Sequence, residues 1–93
     1  MIRSFKDRLT EAAFAGKLVK GFPEAVFKRT RHKLLILNAA STLEDLRSPP
    51  GNHLELLVGS RAGQHSVRIN DQFRLCFRWT EAGPLDVEFT DYH

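Results

Sequence analysis

The sequence predicts an α+β domain in which N-terminal helices pack on one face of a mainly antiparallel sheet of four to five strands. Two observations carry this. Apolar residues recur with a helical period as far as Leu37, and the period switches to strict alternation after the Pro49-Pro50-Gly51-Asn52 break. The alternating runs are then joined by connections too short for a crossover, which makes neighbouring strands antiparallel. A chain of 93 residues is expected to form one domain over its whole length, residues 1–93, with no room for a second core.

Taken in order, Ile2 to Phe5 suits a short edge strand. Asp7 to Ala15 reads as a helix with Leu9, Ala13 and Phe14 inward, stopping near Gly16. Gly21-Phe22-Pro23 opens a second helix, because proline fits the first helical position, where its missing N–H is not needed. Phe27, Thr30, Leu34 and Leu37 then mark one helical face, which Leu35 and Ile36 widen towards deep burial or a partner. Ser41-Thr42-Leu43-Glu44 reads as a capping box in which Ser41 and Glu44 serve each other's free backbone donors. It starts one short turn through Leu46.

Four strands follow. Leu54, Leu56 and Val58 alternate with Glu55 and Leu57; His65, Val67 and Ile69 with Gln64, Ser66 and Arg68. Phe73, Leu75, Phe77 and Trp79 alternate with Arg74, Cys76 and Arg78; Leu85, Val87 and Phe89 with Asp86, Glu88 and Thr90. Turns at Gly59 to Gly63, Asn70-Asp71 and Glu81 to Pro84 separate them. The helices cover the apolar face, and the opposite face is expected to show Glu55, Gln64, Arg68, Arg74 and Arg78.

Composition narrows the function classes. The net charge of +3 is modest, but its distribution is uneven. Residues 1–33 hold Arg3, Lys6, Arg8, Lys17, Lys20, Lys28, Arg29, Arg31 and Lys33 against Asp7, Glu11 and Glu24, whereas the tail carries Glu81, Asp86, Glu88 and Asp91. Such asymmetry suits a chain that meets RNA on one side and sets acidic chemistry elsewhere, although solvated helices are often basic too. Cys76 is the single cysteine, read as a buried thiol of a reducing cytoplasm, and no zinc spacing occurs. No apolar run approaches the ~20 residues of a membrane span, and the charged N-terminus does not read as a secretory signal.

The second sheet face carries the chemistry. Alternation brings Arg68, Arg74 and Arg78 to one side of two strands joined by a tight turn, and Arg61 in the Gly59–Gly63 loop can reach the same place. Guanidinium forks fit phosphate oxygens and stay charged at any working pH. The plainer reading is a solvated face whose arginines pair with Asp86 and Glu88 across strands. An acid–base set at its edge, Asp91-Tyr92-His93, tips the balance. Cleavage of RNA through its 2′-hydroxyl needs a base, fixed positive charge at the crowded phosphorane and an acid for the departing 5′-oxygen. His93 can exchange a proton near neutrality, and a chain-terminal carboxylate beside it would favour the imidazolium and an acid role. Asp91 can accept a proton or orient the imidazole, Tyr92 can stack or donate, and Arg74 can stabilise the phosphorane. Polar residues at a chain end are also often merely frayed. Glu55 is in phase with the arginine face, and His53 lies close enough to contact RNA or transfer a proton. His32 reads as solvated or phosphate-facing. His65, Phe73 and Trp79 read as core, His65 with a hydrogen bond.

The run Leu46-Arg47-Ser48-Pro49-Pro50-Gly51-Asn52-His53-Leu54-Glu55, followed by the segment from Gly59 to Phe77, closely resembles the HigB family of the RelE superfamily. So do the opening Met1-Ile2-Arg3-Ser4-Phe5 and the closing Asp91-Tyr92-His93, so that the likeness spans essentially the whole chain. The resemblance implies a RelE-like fold and a toxin of a type II toxin–antitoxin system. It further implies a metal-independent endoribonuclease without a cofactor, cutting mRNA in the A site of the 30S ribosomal subunit through 2′-hydroxyl attack. By position, Arg74, Asp91, Tyr92 and His93 match residues the family uses in catalysis or phosphate stabilisation, and Arg61 and Arg68 match positions that contact RNA or shape the site. The implied partner is a HigA-like helix-turn-helix antitoxin, through which alone the chain would reach operator DNA; the implied compartment is the cytoplasm. One departure stands out. Some members carry a catalytic histidine on the first strand after the helices, where Glu55 falls here, with His53 two residues earlier. Strand register favours Glu55, and the base stays open among Glu55, His53 and Asp91. Two rival readings are a ParE-like toxin that inhibits DNA gyrase without cutting RNA, and a basic RNA-binding domain that cleaves nothing.

Overall fold

A computed structural model of the chain describes residues 1–91. Asp7 accepts the Thr10 N–H at 2.7 Å and so caps α1 (Arg8–Phe14). The helix closes where Gly16 takes a φ of 84°: Gly16 N–H donates to Ala13 and Lys17 N–H to Ala12, a paired closure that favours glycine. Pro23 does not open the second helix directly. It precedes a 3-10 turn, Glu24–Val26, and Val26 leaves helical geometry to enter the core before α2 (Phe27–Ala39) begins. The inward stripe of α2 is Thr30, Leu34 and Leu37, as the periodicity expected, with Phe27 half-buried beside it.

The capping box sits one residue later than the sequence suggested. Thr42 Oγ1 accepts the Asp45 N–H, while the Asp45 carboxylate takes the N–H groups of both Ser41 and Thr42 at 2.9 and 3.1 Å. Those bonds hold the Asp45 carboxyl below its usual range, the Ser41 N–H contributing most. Glu44 is turned away, bonded to Arg47 at 2.8 Å. The resulting 3-10 turn, Leu43–Arg47, buries Leu46.

The sheet order is β1 (Glu55–Leu56), β2 (His65–Arg68), β3 (Phe73–Thr80) and β4 (Gly83–Asp91), all antiparallel. Two expectations need correction. The strand expected over 54–58 is only two residues long, because the chain turns after it so that Leu57 is buried while Leu56 and Val58 are exposed. On β4, Asp86 adopts a φ of 54° at a register shift, so Cys76 pairs with Glu88 but Arg78 pairs with Leu85. Leu85 therefore lies on the face opposite Val87 and Phe89.

The outer edge of β4 is covered by the N-terminal segment, which runs parallel to it through a Phe5–Val87 bridge, with Val87 N–H donating to Ser4 and Lys6 N–H to Val87. Thr10 Oγ1 takes the Phe89 N–H at 2.9 Å. Gly83 is required here, since a Cβ would stand 2.0 Å from the Met1 carbonyl oxygen. Between helices and sheet, Leu34, Leu37, Leu75, Phe77 and Val87 are fully buried, and Phe89 stacks between Phe22 and Phe73 at centroid distances of 4.5 and 4.6 Å.

Two core groups lack polar partners among the described residues: Thr30 Oγ1 and His65 Nδ1. His65 stacks on Phe77 at 6.3 Å, as a core residue, but without the expected hydrogen bond at Nδ1. Thr30→Val keeps the shape and removes a hydroxyl that lost water on folding, so it should raise unfolding free energy by about 1 kcal/mol, measured by urea denaturation. His65 is held below its usual range by desolvation, with the Arg47 charge adding to it. The unfolded chain therefore binds the proton first, and stability intact above about pH 6.5 should fall as pH drops below it. His65→Phe should flatten that decline between about pH 7 and pH 5 in urea midpoints; an unchanged slope would remove His65 as its source.

Candidate functional site

Strand register sorts the side chains into two faces. Glu55 stands across from Ser66, Ser66 from Cys76, Arg68 from Arg74, Arg74 from Thr90 and Cys76 from Glu88. These residues share a face with Arg78, away from the helices, which cover Val67, Phe73, Leu75 and Phe77. The structure thus brings Glu55, Arg68, Arg74 and Arg78 together as alternation expected, and Arg61 joins them from the 3-10 turn Gly59–Arg61.

Arg74 is the innermost. Only 9% exposed, its side chain reaches back over β2: Nε donates to Ser66 Oγ at 2.6 Å, and Nη2 donates to the carbonyls of His53 at 2.5 Å and Ser66 at 3.4 Å. All three acceptors are neutral, so no carboxylate among the described residues neutralises the guanidinium. Arg61 is clamped differently, with Nη1 bonded to Glu88 at 3.0 Å and Gln64 at 3.1 Å, and Nη2 to Thr90 at 3.2 Å. Cys76 lies buried between these groups. Burial pushes its thiol up and Glu88 adds to the rise, while Arg61 and Arg74 pull the other way. Arg68 is ion-paired to Asp71. Arg78 is exposed, and its Nη1 lies 2.7 Å from where a Cβ on Gly63 would stand; that glycine, at φ 90°, leaves the guanidinium its place.

His53 is exposed at a left-handed φ of 42°, just before β1, with its carbonyl gripped by Arg74. The turn that presents it is tied down by the buried Asn52. Its Nδ2 donates to the Leu46 carbonyl at 3.2 Å and its Oδ1 accepts from Lys33 Nζ at 2.5 Å. Desolvation, then Arg29 and Arg68, hold the Lys33 ammonium below its usual range.

Asp91 is the exception among the described candidates. It pairs with Phe73, so its side chain starts on the helix-covered side rather than beside Arg74, and its carboxylate accepts from Gln72 Nε2 at 3.0 Å. Tyr92 and His93 lie outside the described residues. Reasoning from sequence missed Ser66 and Asn52. Ser66 shares the phase of Arg68, a signal that was available; no local pattern marks Asn52. Among the described residues, no group of three or more His, Cys, Asp or Glu side chains is placed to hold a metal ion, and no helix is long and apolar enough to cross a membrane.

Comparison with known proteins agrees with this architecture. Residues 3–93 match the family model described as a RelE-like toxin of the type II toxin–antitoxin system HigB. The chain is 37% identical to a Vibrio cholerae protein named Toxin HigB-1, over all of this chain and 98% of that one. It is 25% identical to the Endoribonuclease HigB of Proteus vulgaris over the full length of both. It is also 40% identical to a Haemophilus influenzae protein over 76% of this chain and 69% of the other. With helices on one side of an antiparallel sheet and a guanidinium cluster on the other, the chain belongs to the HigB-like family of RelE-like toxins of type II toxin–antitoxin systems.

Proposed function

We propose that the chain is a ribosome-dependent endoribonuclease that cuts mRNA in the A site through attack of the 2′-hydroxyl on the adjacent phosphate. The observation that carries this reading is Arg74, a permanently charged fork, nearly buried and held by neutral acceptors at the centre of an arginine face. Positive charge fixed in place before substrate arrives suits a phosphorane that gains negative charge as it forms. The full-length relative named Endoribonuclease HigB supports RNA as the substrate.

In this reading Arg74 stabilises the phosphorane, and Arg61, Arg68 and Arg78 hold the flanking phosphates. Glu55 acts as the base: it is exposed and stands across from Ser66, the residue that holds Arg74, whereas the Asp91 carboxylate is bonded to Gln72. His53 then contacts RNA, and Asp91 contributes to placing the chain end. His93 serves as the acid for the departing 5′-oxygen and Tyr92 stacks on a base, roles assigned by their chemistry. Proton transfer by side chains needs no metal. The proposed partners are the 30S A site with its mRNA and a HigA-like helix-turn-helix antitoxin, through which the chain meets operator DNA, all in the cytoplasm.

Ribosomes programmed with a defined message, with cleaved 5′ ends mapped, test the proposal. Cleavage in the A site is expected; intact message, or arrest of gyrase supercoiling instead, would sink it. Arg74→Ala should slow single-turnover cleavage by about 10²–10³. Arg74→Lys keeps the charge but loses the fork that binds Ser66 and His53, and should be nearly as slow. A lysine variant as fast as the parent, with an unchanged melting temperature, would remove the guanidinium geometry from the mechanism. Arg78→Ala, at an exposed position, should weaken binding while leaving the fold intact.

A further inference from the structure

The outer surface of the helix layer carries a second cationic feature that RNA chemistry does not explain. A cleft of about 570 Å³ opens between the end of α1 and the exposed side of α2, lined among others by Phe27, Lys28, Arg31, His32 and Leu35. Lys28, Arg31, His32 and Leu35 are spaced i, i+3, i+4 and i+7, so they form one stripe of α2, turned from the buried stripe of Thr30, Leu34 and Leu37. A second cleft of about 270 Å³ shares Phe27 and Lys28 and adds Leu18, Glu24 and Ala25, so the two lie side by side along the helix layer as a trough divided at Phe27 and Lys28.

Its chemistry is mixed in a particular way. Leu18 and Leu35 are 46% and 41% exposed, and half-buried Phe27 lies where the two clefts meet. Around them Lys28, Arg31 and His32 are exposed, and neither Lys28 nor Arg31 forms an ion pair with another described residue. The Arg31 guanidinium lies over Gly16, where a Cβ would come within 3.2 Å of Nε, so the end of α1 is shaped to leave it room.

We infer that this trough is the docking surface for the antitoxin, taken by an acidic, amphipathic segment whose aliphatic side chains cover Leu18, Phe27 and Leu35 while its carboxylates meet Lys28 and Arg31. The inference rests on the toxin–antitoxin membership and on the partner proposed above. Charge complementarity selects the occupant. A second copy of this chain would set a basic stripe against a molecule of net charge +3. An RNA backbone would satisfy the cations but leave two leucines and the phenylalanine in water, so it does not account for their exposure. A peptide with both kinds of side chain meets both demands.

The test titrates the full-length antitoxin from the same operon into the full chain by calorimetry, and in parallel assays cleavage on programmed ribosomes. Leu35→Asp and Arg31→Glu, both at exposed helix positions, should each weaken antitoxin binding about tenfold or more, the loss expected of an interface anchor. Cleavage by the same free variants should match the parent, since the trough lies on the helix side, away from the arginine face. Antitoxin affinity unchanged in both variants, or lost only on Arg78→Ala, would overturn the inference. So would variants that keep the antitoxin but lose ribosome-dependent cleavage, which would make the trough an RNA surface. Absence of cleavage by the unaltered chain would instead count against the nuclease reading, and the calorimetric comparison would still decide the trough.

Discussion

The site depends on how one charge is stored. Burying a guanidinium costs several kcal/mol unless its donors find acceptors, so Arg74 is held in place by whatever satisfies it. Here those acceptors are the Ser66 hydroxyl and the carbonyls of Ser66 and His53. The bonds tie β3 to β2 and both to the turn leading into β1, which explains how a strand of two residues keeps its register against Ser66. Because no carboxylate of the described residues closes the fork, the positive potential of Arg74 survives burial. The neighbouring arginines differ: Arg61 is matched by Glu88 and Arg68 by Asp71. Arg74 and the exposed Arg78 carry no ion pair with another described residue, so the positive field of the face is strongest along β3, with Arg74 the position that packing holds fixed.

The rest of the fold keeps that position rigid from behind. Leu75 and Phe77 flank Cys76 on β3 and are fully buried under the helices, so the strand that carries Arg74 cannot shift without opening the core. The turn that carries His53 is fixed separately, through buried Asn52 and the Lys33 ammonium of α2. The far edge of β4 is closed by the N-terminal segment and by Thr10 of α1. Helix layer and arginine face are thus linked by specific polar contacts as well as by apolar packing.

What could be read in the sequence follows from the range of the interactions involved. Alternation is local, so the shared face of Glu55, Arg68, Arg74 and Arg78 was legible, as was the inward stripe of α2. Features set by a single residue of register were not. The capping box slid from Ser41–Glu44 to Thr42–Asp45, because the shorter aspartate reaches two N–H groups at once. The left-handed Asp86 moved Leu85 to the other face. Asp91 is expected beside Arg74 if the chain end is treated as one group; strict alternation along β4 sets it with Phe73 and Phe89 instead. Contacts between residues far apart in sequence, such as Lys33 with Asn52, have no signature in any window of the chain.

The two positive surfaces of this chain differ in what surrounds the charge. On the sheet, apart from half-buried Leu85 across from Arg78, the arginines lie among Ser66, Thr90, Gln64 and Glu88, groups that hydrogen-bond and offer little to an apolar partner. On the helices, the cations of α2 stand beside exposed leucines and Phe27, which offer little to a phosphate. Net charge alone would give both surfaces the same partners; their neighbours separate them, since desolvating an aliphatic side chain is favourable only against another apolar group. In the proposed reading this lets 93 residues address a ribonucleoprotein and a protein at once. Each sheet strand has two faces and α2 has two stripes, and the alternation that sends Leu75 and Phe77 inward also sends Arg74 and Arg78 outward.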